Sequence, residues 1–410
     1  MVEEGALRES RHHLRLDATH AIRVSATPDG HRAEPVTASE GGWVRSKPGD
    51  GAGLALLHRL RNRMAVTAGF RVTMAGRAAT DDGSERAMGV DQTNESWVVG
   101  ARLVVKWVTD DLDGPHPGAD RMRRLAEAGF AQTPTLVGLL EWQSPGGDWA
   151  PVAVVQEHLA GAEDGWTWAA REARRALGLE PGRPSEFAEA LGELTARMHV
   201  ALADDPTELT APELAAAQAA DASGVLDEAV RLTSAFDPAS HRLLVGHRER
   251  IEADLAGLGG LAGGPAVPIH GDLHVGQVLR TADGALSVID FDGNPTRPAA
   301  LRAASGPAAR DVAGMLVSLE NVAHVVCHRA EVADPAALEW ASRAWAGHAQ
   351  GGFLAAYGRA LGDRRDLFDE ALLPAFDWEQ VCREFVYAAR HLPAWGYVPA
   401  AALSRRTREG

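Results

Sequence analysis

Cysteine is almost missing from this 410-residue chain: Cys327 and Cys382 are the only two, and no CxxC pair occurs. That excludes a disulfide framework and a zinc ribbon and fits a reducing compartment. No run of about 18 uninterrupted apolar residues occurs, the length a membrane helix needs. The acidic start, MVEEGALRES, has no apolar segment of the kind a secretory signal carries. Neither secretion nor membrane insertion is expected, and the cytoplasm is the expected location. Positive charge is in deficit, with 41 basic against 56 acidic residues and a formal net charge of -15. Such a field repels nucleic acid and anionic membranes. One local lysine and a metal ion still suffice to hold an anionic nucleotide, because short-range charges override a screened net field. GGLAGGP lacks the GK[ST] ending of a P-loop, and no repeat of about 20 to 50 residues points to a solenoid.

What is present reads as a folded α+β protein. At roughly 100 to 200 residues per domain, the length implies two or three units. AIRVSAT and RAEPVTA, joined by PDG, alternate like short strands. With LALLHRLRN as a helix and FRVTMAG as a further strand, they make a β-rich N-terminal cap over 1–86. From 87 to 159 the order is strand, polar loop, strand, turn, strand (AMGVDQTNESWVVGARLVVKWV). A helix ending at a glycine (ADRMRRLAEAGF) and a buried strand, PVAVVQEHL, follow. From 160 to 410 helices dominate. In SEFAEALGELTARMHVAL, Phe187, Leu191, Leu194 and Met198 share one face after a Ser185 cap. The clear strands there, QVLRT and LSVIDF, flank ADG and form a hairpin within 269–298.

The chemistry concentrates in that hairpin, IHGDLHVGQVLRTADGALSVIDFDGNPTRP. Asp272 and Asp290 are 18 residues apart (290 − 272), and an antiparallel hairpin brings its open ends together. Phosphoryl transfer asks for an acceptor hydroxyl in line, metal ions on the phosphates and a carboxylate to take the proton. Asp272 suits the base, a role worth about 10²- to 10⁴-fold in rate. Gln277 and Asp290 offer hard oxygens of the kind Mg2+ takes. Upstream, Lys106 ends the strand RLVVK on the same face as Val104. Its ammonium there either meets nucleotide phosphates or is an exposed strand-end charge. His270 and His274 have the spacing of a helical zinc pair but straddle GDL, where Gly271 disfavours a helix. The RHH at 11–13 reads as a solvated segment.

The order of the QTNES loop, Lys106, Asp120, the QEHL hinge, HGDLHVGQ and IDFDG resembles the aminoglycoside-phosphotransferase branch of the protein-kinase-like fold. Within that branch, AEAGF, GWTWA, ELTARMH, HGDLHVGQ, RDVAGM and YAARHLPAW resemble the actinobacterial maltokinases and the related glucosamine kinases. The resemblance covers most of the chain, N-terminal cap included. It implies a bilobal α+β fold hinged at 156–159, ATP as co-substrate and Mg2+ as cofactor. It implies Lys106 on the α- and β-phosphates, with Asp120 in place of the glutamate that usually pairs with that lysine, a departure one methylene shorter. Ser96 and its neighbours resemble the loop that covers the phosphates, and Gln156, Glu157 and Leu159 the adenine-contacting hinge, largely through backbone groups. Asp272 is then the catalytic base and Gln277 and Asp290 the Mg2+ ligands. His270 resembles the histidine that holds the catalytic loop and Asp311 the helix-start acid that braces it.

For the acceptor, the maltokinases read DFEGEP where this chain reads DFDGNP, a form that resembles the glucosamine-kinase group more. An amino sugar is cationic at neutral pH and calls for a carboxylate, whose charge-assisted hydrogen bond is roughly twice as strong as a neutral one. Asp292 and Asn294 are expected to face it. Asp377, Glu384 and Trp395 of AFDWEQVCREFVYAARHLPAW are further sugar contacts, or else solvated helix acids and a core tryptophan. The expected reaction is ATP-dependent phosphorylation of glucosamine to glucosamine 6-phosphate. Maltose phosphorylation competes with it, as does a regulatory pseudokinase, although no base, metal ligand or lysine is missing.

Overall fold

A computed structural model describes residues 12–28, 30–62, 69–74, 76, 83–88, 95–109, 112–204 and 207–408. The chain divides into two compact units, Met1–Gly161 and Ala162–Gly410.

The first unit opens with a four-stranded antiparallel sheet, β1 (His13–Arg15), β2 (His20–Thr27), β3 (Gly30–Ser39) and β4 (Gly42–Arg45), in that spatial order. Helix α1 (Ala52–Arg61) follows and buries Leu56, Leu57 and Leu60. A six-stranded sheet then forms from β5 (Phe70–Met74), β6 (Glu85–Ala87), β7 (Glu95–Val99), β8 (Leu103–Trp107), β9 (Leu136–Gln143) and β10 (Trp149–Glu157). Its spatial order is β5-β9-β10-β8-β7-β6, and helix α2 (Pro117–Glu127) sits in the chain between β8 and β9. β5 joins this sheet although it precedes the boundary expected at residue 86.

Alternation gives the larger sheet two faces. One shares a core with the smaller sheet and α1: Leu14, Ile22, Leu56 and Leu60 pack with Trp97, Val105, Trp107 and Trp142. The other, with Leu136, Leu139 and Val154, receives Ala119 and Met122 of α2. Lys106 pairs in register with Ser96 on one side and Val154 on the other, which puts it on the α2 face.

The second unit is built on helices. They are α3 (Gly165–Ala176), α4 (Phe187–Leu202), α5 (Pro212–Phe236), α6 (Pro238–Gly246), α7 (Arg248–Ala256), α8 (Ala299–Ala303), α9 (Ala309–Arg329), α10 (Pro335–Ala360), α11 (Leu373–His391) and α12 (Tyr397–Arg408). Two short pairs of strands interrupt them, β11 (Glu208–Leu209) with β12 (Pro265–Ala266) and β13 (Val278–Arg280) with β14 (Leu286–Val288). The expected face of α4 is buried at Phe187, Leu191, Leu194 and Met198. Its expected cap does not form: Glu186 occupies the N-cap without a side-chain bond, and Ser185 is tied to Glu172 by its side chain and by its N–H, which donates to Oε2 at 2.9 Å. Helix α9 is buried along nearly its whole length and packs against α3, α10, α11 and α12. It is the spine of the unit. Among the described residues no helix is long and apolar enough to cross a membrane.

Candidate active site

The hairpin β13–β14 pairs Val278 with Val288 and Arg280 with Leu286. One step toward its open end, the Ile289 N–H donates to Gln277 O at 2.9 Å. The ladder therefore brings Gln277 and Asp290 to the same open end of the hairpin, Gln277 opposite Ile289 and Asp290 the next residue. Asp290 has φ 63°, the only non-glycine with a positive φ among the described residues. That left-handed turn costs roughly 1–2 kcal/mol for an L-residue, and aspartate tolerates it better than most.

The segment before the hairpin is held from two directions. Asp311, in the first turn of α9, accepts the His270 N–H at 2.7 Å and the Gly271 N–H at 2.8 Å on its two oxygens. His199 Nε2 lies 3.1 Å from Asp311, and His199 Nδ1 lies 2.9 Å from the Tyr357 hydroxyl. Burial alone would push the Asp311 carboxyl up. The hydrogen bond and charge of His199, the charge of His270 and the Gly271 N–H outweigh it and hold the group below the usual carboxylate range. The His270 ring is fully buried, with Nε2 2.9 Å from Ile289 O, so it ties the loop to the hairpin. Gly271 takes φ 82°, and at Gly314 a Cβ would come within 2.7 Å of Leu273 O. Glycine at 314 is what lets α9 run directly against this backbone.

Asp272 emerges from that brace into a cavity whose walls include Asn294, Arg297, Glu379, Gln380 and Arg383. Asn294 Nδ2 donates to Asp272 Oδ1 at 2.8 Å. His274 is held below the usual histidine range by burial, against the opposing charges of Asp272 and Asp290. It is neutral at pH 7, and its Nδ1 accepts the Gly276 N–H at 3.0 Å. Asp272, His270, His274 and Asp290 thus lie within electrostatic reach of one another.

The cavity wall is itself part of a buried ion network. Arg310 Nη1 donates to Glu379 Oε1 at 2.5 Å, and Arg383 Nε donates to the same oxygen at 2.9 Å. Asp221 Oδ2 accepts from Arg383 Nη2 and, at 3.0 Å, from Arg297 Nε. Burial raises the Glu379 carboxyl, but Arg310, Arg383 and Arg297 bring it down to about 2. Arg297 pays the converse cost: burial first, then the like charge of Arg310, lower it to about 10.

The expected sugar contacts divide. Asn294 lines the cavity; Asp292 is half-buried and does not line it. Asp377 faces α12 instead, where Arg406 donates through Nε and Nη2 at 2.5 Å each, so a neighbouring helix occupies both oxygens. Trp395 stands edge-on to Trp166 at 5.4 Å, and Trp166 lies 6.3 Å from the His274 ring. An aromatic row therefore runs from the loop to Trp395. Glu384 lies one turn beyond Gln380 on α11. Its Oε1 accepts from Asn321 Nδ2 at 2.8 Å, whereas its Oε2 and Asn321 Oδ1 are buried with no hydrogen-bond partner among the described residues. Burial pushes this carboxyl up to about 7, more than the amides of Asn321 and Gln380 and the charge of Arg406 pull it down. Glu384 Oε2 and Asn321 Oδ1 are thus buried acceptors lacking a donor.

In the first unit, Lys106 is half-buried in β8. Asp120, expected to pair with it, is engaged on its own helix. Asp120 accepts from Arg123 Nη2 at 2.6 Å and Arg124 Nε at 2.9 Å, because residues three and four apart on a helix are within reach. Ser96 lies in β7, not in a loop; the residues expected to form that loop, Gln92 to Asn94, lie outside the described residues. At the expected hinge, the Glu157 N–H donates to Thr135 O at 2.9 Å and the His158 N–H to Arg102 O at 2.7 Å.

Residues 86–373 match the phosphotransferase enzyme family, APH. The chain belongs to that family and has its protein-kinase-like fold of mixed helix and sheet. A glucosamine kinase of Mycolicibacterium smegmatis is 41% identical over 401 residues, spanning 97% of this chain and 98% of its own. One of Streptacidiphilus jiangxiensis is 42% identical over 407 residues, spanning 95% and 91%. A solved glucosamine kinase in complex with glucosamine, ADP and inorganic phosphate superposes with a TM-score of 0.82 at 39% identity, covering 98% of this chain and 94% of that one.

Proposed function

We propose that this chain is an ATP-dependent glucosamine kinase that makes glucosamine 6-phosphate. The observation that carries the reading is the setting of Asp272: Asn294 holds Oδ1, while Oδ2 has no partner among the described residues at the edge of the cavity. Such a carboxylate is poised to take one proton. The oxygen of the sugar 6-hydroxyl attacks the γ-phosphorus, the bond from that phosphorus to the β,γ-bridging oxygen breaks, ADP leaves, and the hydroxyl proton passes to Asp272. The full-length likeness to glucosamine kinases supports the choice of acceptor. The sequence lacks none of the candidates for base, metal ligand and lysine, one of which a regulatory pseudokinase would have lost.

The amino group is assigned to Glu384 and Asn321. An ammonium supplies the donors that Glu384 Oε2 and Asn321 Oδ1 lack, and a hydrogen bond to a charged partner is worth about 1.5–3 kcal/mol. A neutral hydroxyl at the same place offers one hydrogen and no charge. On the nucleotide side, Lys106 is assigned to the phosphates. With the Glu157 and His158 N–H groups bonded within the sheet unit, the hinge offers adenine Leu159 and its neighbouring carbonyls. ATP as co-substrate fits a cytoplasmic enzyme.

No group of three or more His, Cys, Asp or Glu among the described residues forms a metal site on protein ligands alone. Gln277 and Asp290, two oxygen donors at one hairpin end, fit Mg2+, which binds proteins through one or two carboxylates and draws its other oxygens from water and phosphate. When bound there it would neutralise phosphate charge. The test is turnover with ATP and Mg2+ across glucosamine, glucose, maltose and N-acetylglucosamine. Glucosamine is the expected substrate; rapid use of maltose with none of glucosamine overturns the reading. Asp272→Ala should lower turnover by about 10²- to 10⁴-fold while nucleotide still binds.

A further inference from the structure

We propose that Thr296 and Asp221 are positioning residues for phosphoryl transfer, acting on Asp272 through a hydrogen-bonded relay of Arg383, Thr296 and Asn294. The proposal rests on Asp272 being the base. The relay can be followed atom by atom. Arg383 Nη1 donates to Thr296 Oγ1 at 3.2 Å, Thr296 Oγ1 donates to Asn294 Oδ1 at 2.6 Å, and Asn294 Nδ2 donates to Asp272 Oδ1 at 2.8 Å.

Its polarity admits one arrangement. A guanidinium has donors only, so the Thr296 oxygen must accept from Arg383 and its single hydrogen must go onward. The Thr296 N–H also donates to Asn294 Oδ1, at 2.9 Å. Two donors on that oxygen fix which way the Asn294 amide faces. Turned over, the amide would set its carbonyl oxygen against the Asp272 carboxylate, two acceptors in contact, and the carboxylate would swing away. The Thr296 hydroxyl and N–H together are therefore a lock on the amide, and through it on the Asp272 carboxylate; the hydroxyl is the half that a substitution removes.

Asp221 holds the far end. It accepts from both Arg383 Nη2 and Arg297 Nε, on an arginine that Glu379 grips as well. The Arg383 side chain is only 4% exposed, so its direction is set by these two acids rather than by solvent. An acid on α5 thereby orients the Asp272 carboxylate with no contact to it, which makes it a positioning residue.

Steady-state kinetics with glucosamine and ATP test this on Thr296→Val, Thr296→Ser, Asp221→Asn and Asp272→Asn. Misplacing a reacting group by about 1 Å costs about 10²-fold, so Thr296→Val should lose about 10- to 100-fold in kcat with KM for ATP unchanged. Thr296→Ser, which keeps the hydroxyl, should recover most of the rate. Asp221→Asn should lose less, because Glu379 still holds Arg383. In an Asn294→Ala background, Thr296→Val should have no further effect, since the group it orients is gone. Thr296→Ala serves in place of Thr296→Val if the valine variant does not fold. Wild-type kcat in the valine or alanine variant, or an equal loss in Thr296→Ser, overturns the relay. If Asp272→Asn is inactive while Thr296→Val is not impaired, only the relay falls; if Asp272→Asn turns over normally, the base assignment falls first and the relay with it.

Discussion

Glu379 and Glu384 stand about one and a half turns apart on α11, and their carboxyls move in opposite directions. Burial raises both. Around Glu379 three guanidiniums reverse the effect and bring the group to about 2. Around Glu384 the nearest partners are neutral amides, the charge of Glu320 adds to burial, and the group stays at about 7. The number of adjoining cations, not depth, decides which acid is permanently charged. Glu379 is a fixed anion inside a network, and Glu384 is an acid that burial keeps partly protonated near neutrality. The two regions of one helix thus perform different tasks with the same side chain.

The largest test of that contrast is Glu379→Ala. Removing one partner of a buried ion pair costs about 3–5 kcal/mol because the remaining charges are stranded, so thermal denaturation should show a large fall in Tm. An unchanged Tm would erase the distinction. Next comes pH. The folded Glu379 pKa lies below its ordinary 4.5, so its contribution to stability is complete above 4.5 and is lost as pH falls toward 2. Glu384 has the opposite sign: its contribution is complete below 4.5 and is lost as pH rises through about 7. Each is on the order of 3 kcal/mol. Chemical denaturation from pH 4 to pH 8, compared between wild type and Glu384→Gln, should lose the alkaline slope in the variant.

A smaller effect is expected on the acceptor. Glu384→Gln should raise KM for glucosamine by roughly 10-fold or more, from a lost interaction of about 1.5–3 kcal/mol, and leave KM for glucose unmoved. In wild type, KM for glucosamine should fall as pH rises through about 7, and the variant should not show this. Equal losses on both sugars would mean that Glu384 does not read the amine. The smallest effect belongs to the exposed acid of the first unit. Asp120→Ala should cost about 0.3–1 kcal/mol in stability and leave turnover at wild-type level, since Asp120 is held by arginines of its own helix.

Much of the hairpin's backbone was legible beforehand because its geometry is local. A two-stranded ladder brings Gln277 and Asp290 to the same open end, and HGDL supplies the glycine its turn requires. The face of α4 was legible for the same reason: its period lies within one element. Contacts that depend on packing were not. The Ser185 cap loses to Glu172, which comes from another helix, and Asp377 meets Arg406 on α12. Asp292 and Asn294 were both expected to face the acceptor; Asn294 borders the cavity and Asp292 does not. Glu379 and Arg383 carried a usable signal, an acid and a base four apart on a helix, but nothing in their spacing announces Asp221 as the shared partner. Gln380 and Glu384 repeat that spacing on the adjoining face and were separable only once Asn321 was in place.

Asp290 has a consequence for how far this fold can be improved. Its φ of 63° is one that glycine adopts freely, so a chain tuned for rigidity alone would carry glycine at 290 and gain roughly 1 kcal/mol. The carboxylate sits there against that gradient. On the Mg2+ role proposed for Asp290, residue 290 is where durability and turnover compete for a single torsion angle, and a consensus-style stabilisation should leave it alone.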